Sequence, residues 1–197
     1  MIAAASAAIT TLVVRNANGQ SAKLLAFLHV AVKQRALQSG LKAALPGVEV
    51  TAVGRIGDFE RSLKAGADAV IAQPLVLEAF KLAPSLRGSR GGSTEEKYSL
   101  IGVGAAPDPH GISSVGALDF LGREGTNRFV KGLLGASPRI ERVSKVEDLL
   151  PLLQMQVADA VLLPSRLYLE IRGASKLSLV QQELSKMVAL PAAAAVT

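Results

Sequence analysis

Val53-Gly-Arg-Ile-Gly-Asp-Phe59 is answered about ninety residues later by Val143-Ser-Lys-Val-Glu-Asp-Leu149, and Ala67-Asp-Ala-Val70 returns as Ala158-Asp-Ala-Val161. Apolar residues and a proline, Pro74 or Pro164, follow each Ala-Asp-Ala-Val. One inserted residue aligns the two copies, and a repeat of this length marks two copies of one supersecondary unit. Each copy reads as a short strand, an amphipathic helix and a second apolar strand. Strands alternating with helices imply parallel sheets with right-handed crossovers, so the repeat predicts two Rossmann-like α/β lobes.

The chain has 197 residues, 49% of them apolar, which is enough to bury a core in each lobe. It has no cysteine, which removes disulfides, thiolate metal sites and cysteine nucleophiles. Its two histidines, His29 and His110, are too few for most metal centres, and no metal or cofactor is expected. A net charge of +6 favours anionic partners. Nucleic acid is a poor candidate, because aromatic residues make up only 4% of the chain and the basic residues are scattered singly.

In chain order, Leu12-Val-Val-Arg15 reads as a strand and Asn16-Ala-Asn-Gly19 as the turn after it. A helical pattern over Ser21 to Leu45 carries Leu24, Leu25, Leu28, Val32, Ala36 and Leu37 near one face, with His29 packed inside it. Strands are expected at 48–53 and 69–72, with helices at 58–65 and 75–83. Arg87-Gly-Ser-Arg-Gly-Gly-Ser-Thr94 reads first as a mobile loop, and otherwise as a flap whose arginines and amides touch an anion. Tyr98 to Gly104 is expected to cross between lobes as a strand. The second lobe follows with a strand at 112–118, a loop at 119–125, a helix at 126–134 and a strand at 140–143. Ser144 and Glu147 have capping-box spacing, and Pro151 is expected to kink the helix they open. The apolar runs at 177–180 and 187–190 read as a return to the first sheet. Lobe I is thereby placed at 1–97 with 181–197, and lobe II at 98–180.

Ligands of open parallel sheets lie beyond the carboxyl ends of the strands. That rule selects four loops, expected to converge on one interlobe cleft: Asn16 to Gly19, Gln73-Pro74, Asp119 to Thr126, and Pro164-Ser165-Arg166. From them Asn16, Asn18, Gly19, Gln73, Arg123, Gly125, Thr126, Asn127 and Ser165 are candidate ligand-binding residues. A helix opening at Thr126 would turn the amides of Gly125, Thr126 and Asn127, and the Thr126 hydroxyl, toward an oxyanion, with Arg123 adding a bidentate contact. The plain alternative is an N-cap in which Thr126 serves its own helix. The chain contains no phosphate-binding P-loop, no complete Gly-x-Gly-x-x-Gly and no nucleophile elbow. Asp68 and Asp159 occupy matching positions before their strands and read as turn residues bonding local backbone, so no catalytic set is assembled.

The two Ala-Asp-Ala-Val stretches, Arg87-Gly-Ser-Arg-Gly-Gly92 before a crossing strand, and Val115-Gly-Ala-Leu-Asp-Phe-Leu-Gly-Arg-Glu-Gly-Thr-Asn-Arg-Phe-Val130 together resemble the type 2 periplasmic substrate-binding proteins. Within that group the likeness is to the phosphate/phosphite/phosphonate branch of ABC transporter components. Gly122-Arg-Glu-Gly-Thr126 stands where that branch offers a serine-rich turn, so Thr126 and the backbone amides are what carry over. The resemblance implies a two-lobed monomer, periplasmic or secreted and not an enzyme, that closes over a small anionic ligand and delivers it to an ABC permease. The same lobes could also serve a sensory or scaffold protein that transports nothing.

Overall fold

A computed structural model of the protein describes residues 21–28 and 34–196. The first half contains β1 (Lys23–Phe27), α1 (Gln34–Ala44), β2 (Glu49–Val53), α2 (Ile56–Lys64), β3 (Ala69–Ala72), α3 (Pro74–Ala79) and β4 (Pro84–Arg87). The second contains β5 (Glu95–Val103), β6 (Ser114–Leu118), α4 (Gly122–Leu134), β7 (Arg139–Val143), α5 (Leu149–Gln154), β8 (Ala160–Pro164), α6 (Tyr168–Gly173) and β9 (Leu179–Ala189). β10 (Ala192–Ala195) closes the chain. Two compact units result, one of described residues up to Glu95 and from Ala189 on, the other spanning Glu96–Val188.

Each unit has its own five-stranded sheet, ordered β2-β1-β3-β10-β4 in the first and β7-β6-β8-β5-β9 in the second. The sequence repeat is therefore a repeat of topology. β1, β2 and β3 are parallel, as are β6, β7 and β8, and each trio is followed by an antiparallel strand, β10 or β5. The twin aspartates do the same work in both units. Asp68 Oδ2 accepts the Lys23 amide at 2.8 Å, and Asp159 Oδ2 accepts those of Ser113 and Ser114 at 3.0 and 2.8 Å. Each carboxylate thus fastens the start of the neighbouring parallel strand. The Asp159 carboxyl is held below its ordinary range, chiefly by its hydrogen bonding to Ser114.

Several expectations change. The helical pattern from Ser21 begins as a strand, because Leu24, Leu25, Ala26 and Phe27 are all buried in β1 between two parallel neighbours. A strand covered on both faces is a continuous apolar run, which a helical template also matches. Helix α1 is described over Gln34–Ala44. The strand expected at Leu12, the turn at Asn16 to Gly19, and His29 lie outside the described residues.

Arg87 to Thr94 is ordered as a strand end and a tight reversal in which Arg90 and Ser93 exchange backbone hydrogen bonds of 2.8 and 3.1 Å. Gly91 and Gly92 between them have φ of 57° and 83°, the positive pair that a type I′ turn requires. Ser144 makes no capping bond among the described residues; a 3₁₀ turn over Val146–Asp148, with Lys145 at its N-cap, precedes α5, and Pro151 falls in the first turn of α5, where its missing N–H has no intrahelical acceptor to lose.

β9 joins the second sheet, so residues 181–188, assigned from sequence to the first lobe, pair in the second. The return to the first sheet is made instead by the alanine strand β10, inserted between β3 and β4. Alanine has little intrinsic preference for strand, so its position and the burial of Ala192 and Ala194 account for it.

Candidate functional site

At the carboxyl end of β6, Asp119 organises the approach to α4. Its Oδ1 accepts the Gly122 amide at 2.7 Å and the Thr126 hydroxyl at 3.1 Å, while Oδ2 pairs with Arg142 at 2.8 Å. Thr126 is fully buried, and its hydroxyl also accepts the Phe120 amide at 3.2 Å. Gly122 is left-handed, with φ of 69°, and opens the helix four residues earlier than the sequence suggested. The amides of Gly125, Thr126 and Asn127 consequently fall inside the hydrogen-bonded ladder of α4, not at its open end. The protein's own Asp119 carboxylate occupies the mouth of the helix, where negative charge is favoured. Gly125 serves packing, since a Cβ there would lie 2.2 Å from Leu121 Cβ.

Arg123 and Asn127, one turn apart on the exposed side of α4, line a recess of about 440 Å³ together with Pro138, Arg139, Ile140, Glu141 and Arg142. They are thus set along the outer edge of the second sheet.

Ser165, directly after β8, has its hydroxyl 2.6 Å from that of the buried Ser99 on β5, and Ser99 also accepts Gln181 Nε2 at 2.8 Å. Next to Ser165, Arg166 pairs through Nε with Glu96 Oε2 at 2.8 Å. The other Glu96 oxygen is buried without a hydrogen-bond partner among the described residues. Burial pushes the Tyr98 hydroxyl well above its ordinary value; the Glu96 charge adds to this and Arg166 opposes it. Tyr98 thus stays neutral at pH 7. Its ring meets Phe129 edge-on, and Phe129 meets Phe120 in the same way, joining β5 to α4.

In the first unit, Gln73 lies at the carboxyl end of β3, is 6% exposed, and has a side-chain oxygen buried with no partner among the described residues. Its backbone carbonyl accepts Val76 and Leu77 at the start of α3. Of the residues picked from sequence, Gln73 and Ser165 therefore lie at strand ends as the topology requires. Arg123 and Asn127 lie on a sheet edge, Gly125 and Thr126 lie within α4, and Asn16, Asn18 and Gly19 are outside the described residues.

Sequence reasoning missed Asp119, Glu96, Ser99 and Gln181. Asp119 had a signal, an aspartate three residues before a glycine at a strand end. The other three act through partners 66 to 82 residues away, for which no local pattern exists.

No protein-family model and no curated protein sequence matches this chain. Solved structures do. Holo ArgBP from T. maritima is 16% identical, with a TM-score of 0.57 over 88% of this chain and 82% of that one. An arginine transport-system periplasmic binding protein from Legionella pneumophila is 14% identical, with a TM-score of 0.56 over 89% and 86%. The GluR0 ligand-binding core in complex with L-glutamate is 11% identical, with a TM-score of 0.60 over 89% and 85%. The chain accordingly has the two-lobed α/β fold of the type 2 periplasmic solute-binding proteins. The Legionella protein is described as part of an arginine transport system and the GluR0 core as a complex with L-glutamate, which lends nothing to the phosphate/phosphonate branch suggested by the sequence.

Proposed function

We propose that this protein is the solute-binding component of an ABC-type transporter, periplasmic or secreted, and that it captures a small anionic solute for a membrane permease. The residues offered to a ligand stand at the carboxyl ends of the parallel strands of each unit, Gln73 in the first and Ser165, positioned by Ser99, in the second. The observation that carries this reading is the buried oxygen of Gln73 at that end of β3, which has no hydrogen-bond partner among the described residues. An unmatched buried acceptor costs about 1–3 kcal/mol, which a donor on a bound solute would recover. The second orphan acceptor, Glu96 Oε1, points the same way. Either acceptor favours a solute that carries a cationic amine beside its anionic group, an aminophosphonate or an amino acid, over phosphate itself.

Isothermal titration with phosphate, methylphosphonate, 2-aminoethylphosphonate, L-arginine and L-glutamate tests this. Binding is expected from the amine-bearing members and is expected to weaken about tenfold or more in Gln73→Leu, the loss of one buried hydrogen bond with its partner left unpaired. Equal binding of methylphosphonate and 2-aminoethylphosphonate would remove the argument from the orphan acceptors. Silence across the panel would sink the solute-binding reading.

A further inference from the structure

The two units differ at their outer strands. β2 and β7 are the edge strands of their sheets and occupy equivalent places in the repeat. In a parallel pair, alternate residues bond inward and the others turn their N–H and C=O outward. In the first unit the Glu49 amide bonds Ala22, which places Ala52 among the outward residues. α1 covers that edge at one residue: Ala52 donates its N–H to Gln38 Oε1 at 3.3 Å, and its carbonyl accepts Gln34 Nε2. Two glutamines one helical turn apart thus satisfy both outward groups of Ala52.

In the second unit the Arg139 amide bonds Ser113 at 2.8 Å and the Asp119 amide bonds Val143 at 2.8 Å, so Ile140 and Arg142 face outward. The pair one turn apart on α4 beside this strand is Arg123 and Asn127, and neither reaches the backbone. No described residue hydrogen-bonds to the outward N–H or C=O of Ile140 or Arg142. The recess of about 440 Å³ lies along this stretch. Three arginines line it against one Glu141. Arg139 is held by Glu141 at 3.1 Å and by the Val157 carbonyl at 3.1 Å, and Arg142 by Asp119. Arg123 has no acidic partner among the described residues.

We propose that the β7 edge is a docking site for an extended acidic peptide segment of a partner protein, which adds to the second sheet as a sixth strand. The outward backbone groups of Ile140 and Arg142 supply its ladder bonds, and Arg123, Arg139 and Arg142 meet its carboxylates. Strand addition takes affinity from main-chain bonds and selectivity from flanking side chains. Charged residues on an edge strand ordinarily discourage pairing with other chains; three arginines discourage it for neutral and basic segments and admit an acidic one. The segment from Pro138 to Arg142 offers about 15 Å of strand at ~3.3 Å per residue, which suits a peptide better than a single small anion. Residues 1–20 of this chain contain no Asp or Glu and do not match the site.

Fluorescence anisotropy of a labelled heptapeptide alternating threonine and glutamate, with the full-length protein at low salt, tests the proposal. Binding is expected, falling as salt screens the exposed charges. It is expected to be lost when a proline replaces the central residue of the peptide, and when lysine replaces its glutamates. The double variant R123E/R139E should weaken binding by about tenfold or more, since each exposed pair turns from attraction to repulsion. If that variant does not fold, slowed amide exchange at Ile140 and Arg142 in the wild-type protein on adding the peptide carries the same test. Equal binding of the proline-containing peptide would overturn strand addition. Absence of peptide binding, with or without binding of pyrophosphate to the arginines, would overturn the docking site.

Discussion

Replacing Thr126 with valine separates the two roles that its hydroxyl could have. Valine keeps the shape of the fully buried side chain and removes only the oxygen. That oxygen donates to Asp119 Oδ1 at 3.1 Å and accepts the Phe120 amide at 3.2 Å. Two such bonds are worth about 2 kcal/mol together at ~1 kcal/mol each. The bond to a carboxylate is the stronger kind, but Asp119 keeps Gly122 and Arg142 when Thr126 leaves, which limits the loss there. The added methyl recovers up to about 0.8 kcal/mol of transfer energy, leaving a net cost of about 1–2 kcal/mol. At this chain length each kcal/mol moves Tm by roughly 2–4 °C, so Thr126→Val should melt about 2–8 °C lower. Urea unfolding followed by circular dichroism measures the cost, and faster amide exchange at Phe120 and Gly122 would localise it to the head of α4. Thr126→Ser keeps the hydroxyl and should restore slow exchange at both amides, though it loses a buried methyl. A Thr126→Val protein as stable as wild type, with ordinary exchange at Phe120, would refute the structural role of the hydroxyl.

The Asp159 carboxylate accepts two backbone amides where Asp68 accepts one, so Asp159→Ala should destabilise more than Asp68→Ala, with both costs below about 3 kcal/mol in urea titrations; the reverse order would contradict the geometry. Asp159 is depressed below its ordinary value of 3.8, so its contribution is present above that value and is lost as pH falls through the lowered folded one. The stability gap between wild type and Asp159→Asn should therefore close on acidification below about pH 4, whereas a gap that widens there would show that the carboxyl is raised. A Cβ at Gly88 would lie 2.4 Å from the Pro191 carbonyl oxygen, so Gly88→Ala should force β4 and β10 apart and cost about 1–3 kcal/mol, visible in thermal melts. In a double-mutant cycle, Ser99→Ala and Ser165→Ala should couple by at least about 0.5 kcal/mol in stability, and additive losses would mean that the 2.6 Å contact carries no energy.

Much of the architecture was legible before any coordinate, because a repeat constrains two regions at once. The matching of residues 53–70 with 143–161 implied two units of one topology, and their sheets are ordered alike. The matched aspartates were legible as turn residues for the same reason: short carboxylates ahead of a buried strand find backbone amides within reach. Carried further, the repeat would also have located β1, since β6 begins at Ser114 and the corresponding position about ninety residues earlier is Lys23. Periodicity taken alone favoured a helix there, because a strand buried on both faces has no alternation to show.

What tertiary structure alone decided is the identity of partners. Asp119 occupies the mouth of α4 because Gly122 turns left-handed and starts the helix early, and it meets Arg142 because β7 lies in parallel register beside β6. Ser99 finds Ser165 and Gln181 only once β5 and β9 have entered the second sheet, and the Gln73 oxygen is left without a partner among the described residues only once β3 is buried. An alanine run becomes the strand β10 because β3 and β4 leave a place for it. The sequence by itself determined the two α/β units and the residues that fasten their strands, because those interactions are local or repeated. Which polar groups meet, and which stay unmatched among the described residues, depends on contacts between distant segments, and only the packed chain sets those.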